Sequence, residues 1–188
     1  SFAAVIAASA LSLASTSAIA AVVCNNTAFA IPDNVDGIYL NLTTGASGTT
    51  GAAVAGFDIN LFAQTGGGLA AFPGSGIDPN NRVVATIVAG PQNDQYTVMT
   101  AGQPIGPSAT FTGESTAMTN WVGGVTGGFL GGQFTNDTTS AVNFGWLQIT
   151  TTAPRGFPAT ITSFCYENTG AAINAGTTPV SLQTFSVD

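Results

Sequence analysis

From Ala21 onward, apolar side chains return at about every second position, a period that suits a β-strand and not a helix. Ile38, Leu40 and Leu42 alternate with Tyr39, Asn41 and Thr43, which predicts a strand with one face in a core. Phe57, Ile59 and Leu61 are expected on one strand face, with Asp58 and Asn60 on the other. Residues 83–88 are apolar on both faces, as in a central sandwich strand, and 96–100 form a further short strand. Residues 129–135 and 142–151 flank Asn136-Asp137-Thr138-Thr139 and predict a hairpin. Ala159, Ile161, Ser163 and Cys165 are expected to share a face, opposite Thr160 and Thr162, and 180–187 to close the chain. Breakers separate these runs: the small-residue loop 45–51, Gly66-Gly67-Gly68, the turn-rich stretch 73–81 and Pro91-Gln92-Asn93-Asp94. No segment after Ala20 carries a helical stripe. Short strands at steady spacing with Gly- and Pro-bearing turns predict an all-β fold, an antiparallel β-sandwich or jelly roll, with 21–188 as one domain.

The side chains between the apolar positions agree. Only 6% of the residues are charged, against roughly 25% in an average globular chain. Their place is taken mostly by Thr, Ser, Asn and Gln, which suit strands and turns, while the Lys, Glu and Arg of helix surfaces are scarce. Two basic residues, Arg82 and Arg155, stand against nine acidic ones, for a net charge of −7. Two arginines cannot make the basic face that nucleic-acid phosphates or an anionic lipid surface require. The negative charge keeps a nearly uncharged surface soluble.

Residues 1–20 differ in kind. They contain no charge, Gly or Pro, and end in Ala18-Ile19-Ala20. An apolar run closed by an A-x-A pattern predicts a secretory signal peptide cleaved after Ala20. The alternatives are a retained apolar arm packed on a neighbouring subunit or, with Ala21-Val22-Val23, a stretch long enough to cross a bilayer. The Ser and Thr content and the small-residue end favour cleavage. Cys24 and Cys165 are the only cysteines. In an exported protein an even pair predicts a disulfide, tying the start of the body to a late strand. The alternative is two buried free thiols.

Much chemistry is excluded by what the chain lacks. It has no His and no Lys, so Ser-His-Asp and Cys-His arrangements and Cys/His zinc shells cannot form. A glycosidase needs only two carboxylates facing one cleft. Glu114, in a turn-like Thr112-Gly113-Glu114-Ser115, and Glu167, at a strand end, are the only glutamates. Asp33-Asn34-Val35-Asp36-Gly37 resembles a calcium loop superficially, but Val35 occupies a ligand position, so a tight turn after Pro32 is expected. A looser calcium site would pair Asp33 or Asp36 with the distant Asp78. Gly123-Gly124 and Gly127-Gly128 are followed by no Lys-Ser/Thr and are not phosphate loops. Asn25, Asn41 and Asn136 begin N-x-Thr triplets, which a Thr-rich chain produces by chance. Trp121, Trp146, Tyr39 and Tyr166 are either core or a sugar-stacking platform.

Several motifs taken together carry a family resemblance. They are residues 31–41 (Ile31-Pro32-Asp33-Asn34-Val35-Asp36-Gly37-Ile38-Tyr39-Leu40-Asn41), Gly56-Phe57-Asp58-Ile59-Asn60, Asn143-Phe144-Gly145-Trp146-Leu147-Gln148 and Phe164-Cys165-Tyr166-Glu167-Asn168-Thr169-Gly170, followed by Ala172-Ile173-Asn174-Ala175-Gly176. The set resembles the extracellular body of PEP-CTERM-type bacterial secreted proteins. The resemblance implies an exported protein associated with biofilm or exopolysaccharide, and supplies no catalytic residues. Residues 179–188 show no Pro-Glu-Pro motif, membrane helix or basic tail, so free secretion or assembly is expected rather than anchoring. The function expected is therefore a non-enzymatic structural or matrix protein of the bacterial cell surface or exterior, without cofactor, partnered by itself as an oligomer or filament, or by extracellular polysaccharide. A carbohydrate-binding, lectin-like module using Trp121 and Trp146 is the alternative, and a glycosidase using Glu114 and Glu167 a third.

Overall fold

The computed structural model describes residues 21–179, so the apolar segment 1–20 and the closing strand expected at 180–187 lie outside the described residues. In chain order the strands are β1 (Val22–Asn25), β2 (Phe29–Ile31), β3 (Ile38–Leu40), β4 (Ser47–Gly48), β5 (Ile59–Ala63), β6 (Leu69–Phe72), β7 (Arg82–Thr86) and β8 (Gln95–Tyr96). They continue as β9 (Pro104–Ile105), β10 (Phe111–Thr112), β11 (Thr116–Ala117), β12 (Gly128–Thr135), β13 (Val142–Thr150), β14 (Ala159–Glu167) and β15 (Ile173–Asn174). All pair antiparallel. The larger sheet runs β1-β14-β13-β12-β7-β10, with β2 also on β14 and β8 also on β7. The smaller runs β11-β6-β5-β3-β4, and β9 with β15 makes a separate ribbon. The chain is an all-β antiparallel sandwich. No helix among the described residues is long and apolar enough to cross a membrane.

Two cores lie on opposite faces of the larger sheet. Between the sheets, Leu40, Leu61 and Leu69 meet Leu130, Leu147, Ile149 and Ile161, with Tyr96 and Trp121 also enclosed. On the outer face, Met99, Ile105 and Ile173 cover Val84, Phe129, Phe144 and Trp146. Burial on both sides explains why β12 and β13 read as nearly continuous apolar runs instead of alternating. It also explains a glycine in mid-strand: a Cβ at Gly131 would lie 2.7 Å from Met99 Sδ and 3.0 Å from Ile105. The outer layer packs against bare backbone there.

The hairpin is present, pairing Gly128 with Ile149 through to Thr135 with Val142. Its loop is held by Asn136 Oδ1, which accepts the N–H groups of Thr138 (2.9 Å) and Thr139 (3.1 Å). Asp33 to Gly37 is a turn, as expected: Asn34 Oδ1 accepts the N–H of Gly37 at 2.8 Å, and Gly37 takes φ +62°. A Cβ there would come within 2.0 Å of Leu61 O, so position 37 is closed to any other residue.

Four expected features differ. Ala159, Ile161, Ser163 and Cys165 do not share one face. Gln148 pairs with Ser163 and Ile149 with Ile161, which leaves Thr162 as the extra residue of a bulge. The bulge reverses the side-chain parity, so Ala159 and Ile161 enter the inter-sheet core together with Phe164 and Tyr166, while Cys165 enters the outer one. The Thr162 hydroxyl closes the kink by donating to Gln148 Oε1 (3.0 Å) and to Gln148 O (3.2 Å). Second, Asp58 and Asn60 are buried rather than facing out, because loops fold over them, and Phe57 packs edge-on against Tyr39, centroids 4.8 Å apart. Third, strand pairing ends at Thr86, leaving Ile87 and Val88 exposed. Fourth, the strand expected over 96–100 pairs regularly only at Gln95–Tyr96, with Met99 making an isolated bridge to Phe129.

Cys24 and Cys165 form the disulfide. They face each other across the β1–β14 pair with Cα atoms 4.1 Å apart, joining positions 141 residues apart in sequence. β1 contributes only four residues to the sheet, so this bond carries much of its attachment. Replacing both cysteines (Cys24→Ser with Cys165→Ser) is expected to lower the unfolding free energy by about 2–4 kcal/mol in guanidinium denaturation. An unchanged midpoint would show the bond to be dispensable.

Candidate functional site

The most distinctive chemistry gathers where three loops meet at one end of the sandwich. Asn41 follows β3 and sets the first loop: its Oδ1 accepts the Thr44 N–H at 2.9 Å, and its main-chain carbonyl accepts that of Gly45. Its amide nitrogen faces three acceptors, Ala55 O (3.1 Å), Gly56 O (3.0 Å) and Asp137 Oδ2 (2.5 Å). The β12–β13 hairpin loop is thereby tied to the smaller sheet. Thr43 adds a second tie, its hydroxyl accepting the Asp137 N–H at 3.3 Å.

Asp58 lies just before β5 and is 5% exposed. Its N–H donates to Leu40 O (2.8 Å), and its Oδ2 accepts the Leu42 N–H (2.7 Å). Its carboxyl is pushed up from 3.8 to about 7. Burial is the main cause; the Leu42 N–H opposes it, the negative charges of Asp137 and Asp78 add to it, and the Asn81 amide again opposes it. Asp78 caps its own loop by accepting the Asn80 N–H at 2.7 Å, and Asn80 reaches Thr135 Oγ1 at 3.0 Å. Asn81, 2% exposed, donates to Phe57 O at 3.3 Å, while its Oδ1 has no partner. The arginines are engaged elsewhere: Arg155 pairs with Asp33 (3.1 Å), and Arg82 Nε donates to Pro79 O (3.0 Å).

The residues singled out from sequence fall as follows. Trp121 is fully buried and Trp146 is 3% exposed, on opposite faces of the larger sheet, so neither offers a ring to a sugar. Trp146 packs edge-on to Phe129 (5.1 Å), and Tyr166 to Phe134 (5.4 Å). Glu114 and Glu167 are not brought together. Glu167 ends β14, and its carboxylate is consumed by a turn, accepting the N–H groups of Thr169 and Ala171 and the Thr169 hydroxyl. Glu114 lies just past β10, four strand positions from β14, or roughly 19 Å at about 4.8 Å each. It shares an open cleft with Arg82, Asp94 and Phe111. Of Asp33, Asp36 and Asp78, Asp33 is paired with Arg155, and among the described residues no group of three or more Asp, Glu, His or Cys side chains is placed to hold a metal by itself. Asn41 and Asn136 are buried with their amides engaged, leaving Asn25 as the more accessible N-x-Thr asparagine.

Sequence reasoning missed the Asp58–Asn41–Asp137 cluster. Its one local signal was a carboxylate between Phe57 and Ile59, at the entry to β5.

A second feature is a cleft of about 280 Å³ between β1 and the 41–45 turn. Asn25, Asn26, Thr43 and Thr44 line it, with Phe164 and Tyr166 below, and its lining carries no charge.

The raised Asp58 carboxyl makes stability depend on pH. Between about 4 and 7 the folded chain keeps a proton that the unfolded chain has released, so stability falls as pH rises through this window and levels off above it. In buffer containing a chelator, Asp58→Asn is expected to remove that slope and to be more stable than the wild type at pH 8, by about 2–4 kcal/mol. Parallel wild-type and variant profiles in urea denaturation would refute it. No family model matches the chain, and no curated protein or solved structure matches it.

Proposed function

We propose that the chain is an exported structural protein of the bacterial exterior that associates with copies of itself. Its main support is the Cys24–Cys165 bond, because reducing cytoplasms keep thiols free and disulfides persist where the surroundings oxidise. The apolar run ending in Ala18-Ile19-Ala20 and the PEP-CTERM-type motifs agree. Self-association draws support from the sheet edge. β1 and β2 both border β14, and residues 21–31 contain no charge and no proline. Natural edges are usually guarded by charge, proline or a bulge. Val23 stands 38% exposed on this edge. Pairing it antiparallel with the same edge of a second copy gives a closed, two-fold contact.

Light scattering on the oxidised protein tests this. Particle mass is expected to rise with concentration for the wild type and to stay monomeric for Val23→Lys. A wild type that remains monomeric at high concentration removes the assembly reading, and recovery of reduced protein from the cytoplasm removes export.

The uncharged cleft beside β1 favours a second function, binding of a neutral glycan. Asn25, Asn26, Thr43 and Thr44 offer neutral donors and acceptors of the kind that meet sugar hydroxyls, and the volume is at the small end for ligand pockets. Saturation-transfer NMR with neutral mono- and disaccharides is expected to show contact that Asn26→Ala with Thr44→Val abolishes. Contact that survives the double change places the sugar elsewhere.

A further inference from the structure

The side chains that line the cleft beside β1 are biased toward donating hydrogen bonds. Asn25 Oδ1 accepts the N–H of Thr27 at 2.8 Å. That N–H can be met only by the amide oxygen, which fixes the orientation of the group and turns Nδ2 the other way. The nitrogen lies toward the 41–45 turn, since a Cβ at Gly45 would stand 2.9 Å from it. Gly45 takes φ +73° and carries no side chain, so the turn leaves the amide room. The hydroxyls on the other side of the cleft are committed in the same sense. Thr44 Oγ1 accepts the Ala46 N–H at 3.2 Å, and Thr43 Oγ1 accepts the Asp137 N–H at 3.3 Å. Loop backbone therefore draws on the oxygens of all three side chains and leaves their protons to be donated. The rest of the lining includes apolar groups, among them Leu42 and Val23, which is 38% exposed.

We propose that this cleft selects a sugar carrying an acetamido group, an inference that rests on the glycan reading above and names its ligand class. An acetamido group sets a carbonyl oxygen, which only accepts, beside a methyl group. The oxygen answers the Asn25 amide and a threonine hydroxyl, and the methyl group answers the exposed Val23 side chain. A plain hexose brings hydroxyls, which donate as readily as they accept, and no methyl to cover Val23. A sugar carboxylate would also accept, but the lining holds no cation to offset its charge, and the chain carries −7. At about 280 Å³ the cleft suits one such residue rather than a long chain segment. The preference does not depend on the assembly reading.

The test is an NMR titration of the full, oxidised, isotope-labelled chain with glucose and, separately, with N-acetylglucosamine. The acetylated sugar is expected to bind about tenfold more tightly, and the side-chain amide signals of Asn25 to move as it binds. Asn25→Asp keeps an oxygen for the Thr27 N–H but turns an acceptor toward the sugar, so it should erase the tenfold margin. If Asn25→Asp fails to fold, the Asn25 amide signals of the wild type still decide the question. Equal binding of the two sugars, unmoved Asn25 amide signals, or a margin retained in Asn25→Asp overturns the acetamido preference while the glycan reading stands. Binding of neither sugar removes both.

Discussion

The bulge at Thr162 decides which side chains of β14 enter which core, and much of the fold follows from it. β14 pairs with β13 along its length and carries β1 and β2 on its other side. Without the extra residue, the alternation that sends Ala159 and Ile161 between the sheets would send Ser163 and Cys165 there too. Phe164 and Tyr166 would be turned to the outer face. With it, both aromatic rings fill the inter-sheet core. Cys165 then faces outward, where Cys24 stands opposite it. One inserted threonine, held by its hydroxyl to Gln148, sets the packing of two layers and the alignment of the disulfide between β1 and β14.

The larger sheet shows how a chain this poor in charge can still be layered. Both of its faces are covered, one by the smaller sheet and the other by the β9–β15 ribbon with Met99. Apolar side chains can therefore occupy successive positions along β12 and β13 without meeting water. Several of the polar groups that remain inside gather in one place. Asn41, Asp58 and Asn81 meet at the loop end, where hydrogen bonds to loop backbone offset part of the cost of burying them.

Strand existence was legible in the sequence, because alternation and turn residues are local. The hairpin around Asn136 and the Asp33–Gly37 turn fall where Asx chemistry and glycine indicate. Faces were legible only where no residue was inserted. Nothing near Thr162 announces a bulge, since the pairing that exposes it comes from β13, more than a dozen residues earlier. The aromatic residues were open to two readings for a similar reason. Trp121 and Trp146 sit among turn and strand residues compatible with a surface, and only the second covering layer shows Trp146 to be interior. The cysteines paired as expected because two thiols leave one possible intramolecular bond. The carboxylate cluster was beyond reach: residues 41, 58, 81 and 137 belong to separate loops, and no spacing rule connects them. Glu114 and Glu167 could be weighed as a pair only once the strand order between them was known.

The position of the disulfide also sets how the body responds to tension. Ala21 lies three residues before Cys24, and Cys165 is directly opposite Cys24 on β14. A pull on the two ends of the described chain therefore passes through sulfur rather than through the sheet. Residues between the two cysteines form a closed covalent ring that cannot be drawn out. Only 21–23 and 166–179 are left to lengthen. Built this way, the body between the cysteines behaves under load as a nearly inextensible link, and of the buried core side chains only Tyr166, Ile173 and Ala175 lie in the segment that can be drawn away.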